Sequence, residues 1–184
     1  IGHTIGFQNA GTVEFLIDER ENFFFLEMNP RIQVEHPVTE EVTGVDIVSE
    51  QLSIAAGNAL RFSQKDIKVT GHSIEARIYQ EDPINDFIPS TLPVDFFQFP
   101  NEQDLRVESD LKQTERGLTN FDPLLAKFIV KAPSREQAIM HLSCSLSGVY
   151  INGPSTNVNY LNAIINHPDF FKNELTTSFC EKEH

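Results

Sequence analysis

Two short β-rich runs, joined by a polar turn, constrain the fold of this chain more than any other feature. Residues 12–17 are TVEFLI, residues 23–28 are FFFLEM, and DEREN lies between them. β-Branched and aromatic residues favour strands, and a short polar connection favours antiparallel pairing. The sequence therefore predicts an antiparallel β-hairpin.

A hairpin centred on Arg20 and Glu21 pairs residues whose numbers sum to 41, which places Glu14 opposite Glu27. The two carboxylates then share one face of the hairpin. The other face carries six apolar side chains, namely Val13, Phe15, Ile17, Phe24, Leu26 and Met28. We expect this register because it buries a continuous apolar layer.

Carboxylates that face each other repel unless a positive charge lies between them, and Mg²⁺ and Mn²⁺ prefer hard oxygen ligands. Glu14 and Glu27 therefore predict a divalent metal site, with Asn29 as a neutral oxygen ligand from the same side of the strand. The alternative is that both glutamates lie on the solvent face of an edge hairpin.

The polar pattern continues beyond the hairpin through EMNPRIQVEHPV. Its odd positions are all polar, namely Glu27, Asn29, Arg31, Gln33 and Glu35. If the backbone stays extended, these side chains line one edge and combine a metal site, an anion site at Arg31 and a carboxylate base at Glu35. A metal site, an anion site and a base in this combination are typical of a phosphoryl-activation site. His36 has the opposite parity and is expected on the other face, as a hydrogen-bonded packing residue.

The rest of the chain predicts a mixture of helices and mainly antiparallel strands, which is an α+β fold. Ser134 and Gln137 have the spacing of a capping box, and Asp46 is placed to cap a helix that ends at Gly57. The predicted helices are 38–56, 135–147 and 156–166, and the predicted strands are 72–80, 94–99, 105–109, 126–131 and 149–152.

Composition limits the classes of partner. The chain has 184 residues and a formal net charge of −13, which argues against nucleic acid or an anionic membrane as its main partner. No apolar run approaches the roughly 20 residues that span a bilayer. The two cysteines lack metal-binding spacing, so we expect a reducing, cytoplasmic location, with the mitochondrion as the alternative.

The successive motifs resemble those of biotin carboxylases, the ATP-grasp components of acyl-CoA, pyruvate and urea carboxylases. The resemblance extends through nearly the whole chain, and its most specific part is RIQVEHPVTE followed by EARIYQEDP. The matching stretches, in order, are GTVEFL, FFFLEMNPRIQVEHPVTEEVTGVDIV, GHSIEARIYQEDP, FDPLLAKFIV and INGPSTNV.

The resemblance implies that Glu14, Glu27 and Asn29 bind two divalent ions, Mg²⁺ or Mn²⁺, that bridge the ATP phosphates. It also implies a bicarbonate site made by Arg31, Gln33 and the backbone of Val34, with Glu35 as the base that deprotonates bicarbonate. The product would be carboxyphosphate, which breaks into CO₂ and phosphate beside biotin.

Two further roles follow from the resemblance. Arg77 would stabilise the enolate-like oxygen of biotin, although a surface ion pair with Glu75 or Glu81 is the alternative that the residues alone favour. Leu16 and Ile151 match apolar positions that contact adenine.

Two stretches depart from the family pattern. FIPSTLPVDFF lacks the glycine that usually follows its PS, and Asn120 and Phe121 stand where tyrosines are expected. These departures concern loops on the biotin side, where Phe121, Asp122 and Pro123 match a family step near biotin and the subunit contact. A simple turn at Asp122 and Pro123 is equally compatible with the sequence.

The expected organisation is the C-terminal end of an ATP-grasp domain over 1–60 and a biotin carboxylase C-terminal domain over 61–184, packed as one compact unit. The chain opens at IGHTIGFQNAG without Met, so we expect an excised piece, inactive alone because the lid and its lysines lie upstream.

The expected partners are ATP, bicarbonate, a biotinylated carrier, a carboxyltransferase and the remainder of the carboxylase domain. The corresponding portion of the family often forms the subunit contact, which would make a homodimer. The final carboxyl acceptor, an acyl-CoA, pyruvate or urea, is left open. EARIYQEDPINDF and QFP resemble urea carboxylases, and acyl-CoA carboxylases fit almost as well. The alternatives are another ATP-grasp ligase that joins a carboxylate to an amine, and a non-catalytic dimerisation module.

Overall fold

The computed structural model describes residues 2–112 and 122–182, and within it the chain forms two compact units. The first unit is residues 1–70 and the second is residues 71–184. The elements of the first unit are α1 (Gly2–Ile5), β1 (Thr12–Ile17), β2 (Phe23–Asn29), α2 (His36–Thr43), α3 (Ile47–Ala55) and a 3₁₀ turn (Gln64–Asp66).

The predicted hairpin is confirmed, with β1 antiparallel to β2. The Asp18 carboxylate closes the connecting turn by accepting hydrogen bonds from the backbone amides of Arg20 (2.8 Å) and Asn22 (2.9 Å). The predicted register holds from the open end of the hairpin as far as Glu14 opposite Glu27. Beyond that pair the register shifts by one residue, so that Phe15 pairs with Phe25. A β-bulge therefore adds one residue to β2.

The expected apolar layer is wrong in two respects. Because of the bulge, the β2 residues on the face of Phe15 are Phe23 and Phe25, and not Phe24 and Leu26 as predicted. The ring of Phe15 packs edge-on against the rings of both Phe23 and Phe25. The layer is also not buried, since Phe15 is 46% exposed and Phe25 is 57% exposed. An apolar strand face is buried only where another layer packs on it, and the described part of this unit supplies none.

The predicted helix over 38–56 is two helices. Gly44, in the left-handed conformation at φ 72°, ends α2, and its amide donates to the Glu40 carbonyl. Asp46 then caps α3 as predicted, by accepting a hydrogen bond from the amide of Ser49 at 2.7 Å. The buried Glu40 carboxylate joins the two helices by accepting from the amide of Ile47 at 2.7 Å.

The second unit contains the packed core of the chain. Its strands are β3 (His72–Tyr79), β4 (Glu81–Asp82), β5 (Ile88–Pro89), β6 (Phe96–Gln98), β7 (Leu105–Glu108), β8 (Leu124–Ala132) and β9 (Tyr150–Asn152). Its helices are α4 (Arg135–Ser147), α5 (Val158–Ile165), α6 (Pro168–Lys172) and α7 (Phe179–Lys182), with a 3₁₀ turn at Pro83–Asn85.

An antiparallel sheet of order β3-β8-β7 organises this unit, and short pairs β4-β5 and β6-β9 accompany it. The even-numbered side chains of β3 and β8 face the core, where Ile78, Phe128 and Val130 are fully buried. Helix α4 contributes Ala138, Leu142 and Leu146 to the same cluster. The α+β class and the mainly antiparallel second unit are thus confirmed.

The predicted helix 135–147 is confirmed as α4. Ser134 accepts a hydrogen bond from the amide of Gln137 at 3.3 Å, and Gly148 follows the last helical residue, as predicted. Helix α5 ends near His167, also as predicted, but Pro168 begins a further helix, α6, instead of only ending α5. Pro is well tolerated in a first helical turn because its missing amide has no partner there.

Within residues 2–112 and 122–182, no helix is long and apolar enough to cross a membrane. Cys144 and Cys180 are both free and exposed.

Candidate functional site

The two hairpin carboxylates converge on one amide. Glu14 lies directly opposite Glu27, and the side-chain nitrogen of Asn29 donates to both, at 2.9 Å to Glu14 Oε1 and 3.1 Å to Glu27 Oε1. Gln33 Nε2 also donates to Glu14 Oε1, at 3.3 Å. Asn29 and Gln33 therefore both contact Glu14, and Asn29 also links it to Glu27.

This donor set fits a hard divalent cation. Two carboxylates and one amide offer oxygen ligands, and a half-turn of the Asn29 amide exchanges its nitrogen for its oxygen. In the described part of the chain no group of three or more His, Cys, Asp and Glu side chains has metal-binding geometry. A cation here would thus have two carboxylate ligands and would complete its coordination with the amide oxygen and non-protein oxygens.

The expected extended strip from Glu27 to Glu35 is wrong beyond Asn29. Strand β2 ends there, and the amide of Arg31 donates back to the Asn29 carbonyl at 2.8 Å, which turns the chain. Glu35 is the N-cap residue of α2. Pro30 lacks an amide and cannot continue a ladder, so the polar residues are gathered by turns.

The turns nevertheless bring the predicted substrate residues to one cavity of about 370 Å³. Arg31, Gln33 and Glu35 line it together with the start of α2, whose positive dipole end favours anions. Arg31 and Glu35 are exposed, and Arg31 Nη1 donates to the Ile32 carbonyl at 3.1 Å. The cavity therefore combines the positive side chain of Arg31, which can bind an anion, with the carboxylate of Glu35.

His36 lines the same cavity, so its expected position on an opposite face is wrong. Its hydrogen bond is as expected, with Nδ1 2.7 Å from the carbonyl oxygen of Gln33. The parity argument failed because it assumed an extended backbone.

Leu16 lies two residues after Glu14 in β1 and pairs with Phe24, beyond the bulge. Alternation places it on the face of Glu14, and it is 59% exposed. Ile151, in β9 of the second unit, pairs with Phe97 and packs against the core of that unit.

Arg77 lies in β3, directly opposite Lys127 of β8, and Lys127 lies opposite Glu108 of β7. Arg77 Nε is 3.5 Å from Glu75 Oε1, so the ion pair expected as the alternative is present. The Arg77 side chain is still 37% exposed. Lys127 Nζ lies 2.5 Å from Glu108 Oε2, and Arg106 also pairs with Glu108. A row of charged side chains therefore crosses one face of the sheet, with each of the two facing cations, Arg77 and Lys127, paired to a carboxylate.

Two carboxyls in this row have pKa values shifted in opposite directions. Burial raises the pKa of Glu75, and the nearby charges of Lys127 and Arg77 only partly oppose it. Burial also acts on Glu108, but hydrogen bonds from Lys127 and Arg106 outweigh it and lower the pKa of that carboxyl. Direct hydrogen bonds to the charged form account for the difference.

The loops that depart from the family pattern are anchored by backbone contacts. The buried Gln80 side chain donates to the carbonyls of Ser90 (2.6 Å) and Leu92 (2.7 Å), which fixes the FIPSTLPV segment. Asp122 accepts a hydrogen bond from the amide of Leu124 at 2.9 Å, which is a turn. Asn120 and Phe121 lie outside the described residues.

Sequence reasoning missed the row formed by Glu75, Lys127 and Glu108, and the contribution of α2 to the cavity. A signal for the row was present, since Lys127 interrupts an apolar run in LLAKFIV and is buried. A signal for α2 was also present, because His36 and Thr39 have the spacing of one helix face.

Family models match both units. Residues 75–182 match the model "Biotin carboxylase C-terminal domain", and residues 1–63 match "Carbamoyl-phosphate synthase L chain, ATP binding domain". The first match covers more than half of the chain, which therefore belongs to the biotin carboxylase family.

Individual relatives agree with this assignment. The chain is 46% identical over 180 residues to Biotin carboxylase 2 of Bacillus subtilis, a match that covers 98% of this chain and 40% of that protein. A biotin carboxylase domain dimer of Hydrogenobacter thermophilus 2-oxoglutarate carboxylase, in complex with MgADP, ADP and bicarbonate, has a TM-score of 0.94 and 43% identity. That match covers 99% of this chain and 40% of that one.

The Kluyveromyces lactis urea carboxylase has a TM-score of 0.90 and 40% identity, with 98% of this chain and 16% of that chain covered. The chain thus spans at most about two fifths of the length of these three proteins.

Proposed function

We propose that this chain acts as the C-terminal part of a biotin carboxylase, which uses ATP to carboxylate biotin with bicarbonate. The observation that carries the proposal is the cavity that gathers Arg31, Gln33 and Glu35 beside the carboxylate pair of the hairpin. Arg31 supplies positive charge, Glu35 supplies a base, and Glu14 and Glu27 supply metal ligands.

In this proposal Arg31 and Gln33 bind bicarbonate, together with the backbone of Val34. An Arg fork suits the planar anion, and the start of α2 adds favourable potential. Glu35 then accepts the bicarbonate proton, and the resulting oxygen attacks the γ-phosphorus of ATP while ADP leaves. The product, carboxyphosphate, breaks into CO₂ and phosphate. The phosphate takes the proton of the biotin ring nitrogen, and that nitrogen then captures CO₂.

Glu14 and Glu27, with Asn29, would hold the divalent ions, which supply neutralising charge for the nucleotide phosphates. Mg²⁺ is supported by the MgADP complex of the Hydrogenobacter relative, and Mn²⁺ is proposed on ligand chemistry alone. The exposed face of Leu16 offers an apolar contact for adenine, and Ile151 would contribute another.

Arg77 is proposed to stabilise the oxygen of biotin that becomes negative when the ring nitrogen loses its proton. The ion pair with Glu75 is compatible with this role, because the Arg77 side chain stays partly exposed. The domains proposed for these roles are 1–60 for metal and bicarbonate and 61–184 for biotin.

The proposed partners are a biotinylated carrier, a carboxyltransferase and the remainder of the carboxylase domain, and the dimer of the Hydrogenobacter relative supports a homodimer. Relatives named for 2-oxoglutarate and for urea share this region at 43% and 40% identity, so the final acceptor is chosen elsewhere.

The test measures phosphate release from ATP by the full-length polypeptide that contains this chain. We expect release to require bicarbonate and to increase with free biotin. Glu35→Gln should lower kcat by roughly 100-fold or more, because general base catalysis contributes about that much. Release that depends on an amine instead of bicarbonate would support an amine ligase, and no release would support a non-catalytic module.

The metal ligands are tested by titrating Mg²⁺. Glu27→Gln should raise the Mg²⁺ concentration needed for half-maximal rate by about tenfold, because one of two anionic ligands is lost. Glu19→Gln, in the exposed turn of the same hairpin, is the matched control and should leave the titration unchanged. Equal titrations for both variants would contradict the assignment.

A further inference from the structure

Glu75 is a buried carboxylate without hydrogen bonds. Its side chain is only 4% exposed, and neither of its oxygens accepts a hydrogen bond within the part of the chain that the structure describes. A carboxylate in such a place is costly, because burial removes its hydration and the nearby charges of Lys127 and Arg77 offset that loss only in part. The same position in a strand would accommodate an apolar or amide side chain without this cost.

The surroundings of Glu75 explain what the charge does. Arg77 and Lys127 are direct cross-strand neighbours, and like charges in that arrangement repel each other. Glu108 neutralises Lys127, whose ammonium lies 2.5 Å from it, and it pairs with Arg106 as well. Glu75 in turn pairs with Arg77, whose Nε lies 3.5 Å from Glu75 Oε1.

We propose that Glu75 is a positioning residue that orients the Arg77 guanidinium toward biotin. This inference rests on the proposed function, since it assumes that Arg77 acts on biotin. A carboxylate at Nε fixes the side of the planar group that faces the strand, and it directs the opposite edge of the guanidinium away from the strand. The edge with the terminal nitrogens is the one that forms paired hydrogen bonds with an anion.

The length of the contact bears on how this positioning works. At 3.5 Å the Nε to Oε1 separation exceeds an ordinary N–H···O hydrogen bond, so the attraction is mainly electrostatic. Buried groups are little screened by solvent and salt, which keeps such an attraction effective at this distance. The charge of Glu75 is therefore the property that matters, more than its hydrogen-bonding capacity.

The experiment compares Glu75→Gln with wild type in the full-length polypeptide. Phosphate release from ATP is measured with bicarbonate, first without and then with free biotin. We expect kcat of the biotin-stimulated reaction to fall roughly tenfold, the size of effect that a misplaced catalytic group produces, with the KM for ATP unchanged. The biotin-independent rate should be unaffected, and Glu75→Asp should restore part of the stimulation because it restores the charge.

Two controls separate positioning from a structural defect. Glu102→Gln removes another partly buried carboxylate of the same unit, which accepts hydrogen bonds from Ser145 and lies 3.0 Å from His141, far from Arg77 in sequence. It should lower Tm without a selective loss of biotin stimulation. In an Arg77→Lys background, Glu75→Gln should cost less than about a further twofold, because the two residues act as one unit.

The outcomes distinguish this inference from the proposed function. A wild-type polypeptide without biotin-stimulated release overturns both. An active wild type with unchanged stimulation in Glu75→Gln overturns the positioning role alone, as does a fully additive loss in the Arg77→Lys background. A parallel fall of the biotin-free and biotin-stimulated rates, with a Tm loss like that of Glu102→Gln, also overturns it.

Discussion

The hairpin β1-β2 and the sheet β3-β8-β7 are both antiparallel, and each has an apolar face, yet the two faces differ in burial. In the sheet, the apolar face of β3 and β8 is covered by α4, and Phe128 and Ile78 are fully buried. In the hairpin, Phe23 and Phe25 of the apolar face are more than half exposed. The comparison teaches that alternation specifies which side chains share a face, whereas burial depends on the layer that another segment supplies.

The largest expected effect is on the core of the sheet. Phe128→Ala should lower the free energy of unfolding by about 3–5 kcal/mol, because it leaves a cavity beside Phe99, whose ring centroid is 5.3 Å away. Phe25→Ala, on the apolar face of the hairpin, should cost less than about 1 kcal/mol, because Phe25 is already 57% exposed. Urea unfolding of the 184-residue chain, followed by circular dichroism, measures both.

Equal costs for Phe128 and Phe25 would break the comparison, since they would mean that the apolar face of the hairpin is covered in solution. If Phe128→Ala does not fold, Phe128→Leu provides the smaller version of the same change, and its cost should still exceed that of Phe25→Leu.

A second prediction uses Glu75 and Glu108, which share the polar face of the sheet. The raised pKa of Glu75 means that the folded state favours its protonated form, so its contribution to stability declines as pH rises from about 4.5 through the folded pKa. The lowered pKa of Glu108 has the opposite consequence. Its contribution is present above about pH 4.5 and is lost as pH falls through the folded pKa.

Glu75→Gln should therefore remove a fall in stability with rising pH, and Glu108→Gln should remove a loss of stability with falling pH. Urea midpoints measured between pH 3 and pH 8, a range that spans the ordinary carboxyl pKa of about 4, test both signs. Slopes that change in the same direction for the two variants would refute the contrast in their surroundings.

The smallest expected effects are at the helix caps, where the two units should behave alike. Asp46→Ala at α3 and Ser134→Ala at α4 should each cost about 1 kcal/mol, because each removes one hydrogen bond to an orphan amide. Hydrogen exchange at the amides of Ser49 and Gln137 reports each cap locally. Faster exchange at only one of these two amides would contradict the expectation that the caps contribute equally in the two units.

Local signals accounted for much of the fold. The caps at Asp46 and Ser134, the helix 135–147 and the strand from His72 were all located by sequence, because each depends on neighbours along the chain. The bulge after Glu14 was not predicted, since a one-residue shift keeps the same composition in both strands. The division of 38–56 into two helices was missed because the role of Gly44 as a C-cap was not recognised.

The candidate site shows the same limits. Its members were identified from the acidic pair and the polar strip, and Glu14 does lie opposite Glu27. The predicted extended backbone from Asn29 to Glu35 was wrong. Turns after Asn29 bring Arg31, Gln33 and Glu35 to one cavity instead. The charge row of Glu75, Lys127 and Glu108 could not be predicted, because it joins three strands that are distant in sequence.

The sequence by itself determined the pairing of Glu14 with Glu27, the helix caps and the family, since these depend on local patterns and on motifs. Only the tertiary structure decided which apolar faces are buried, how the polar residues reach one cavity, and which carboxylate lies beside Arg77. These depend on contacts between segments that are distant in sequence, and such contacts form only when the strands and helices pack together.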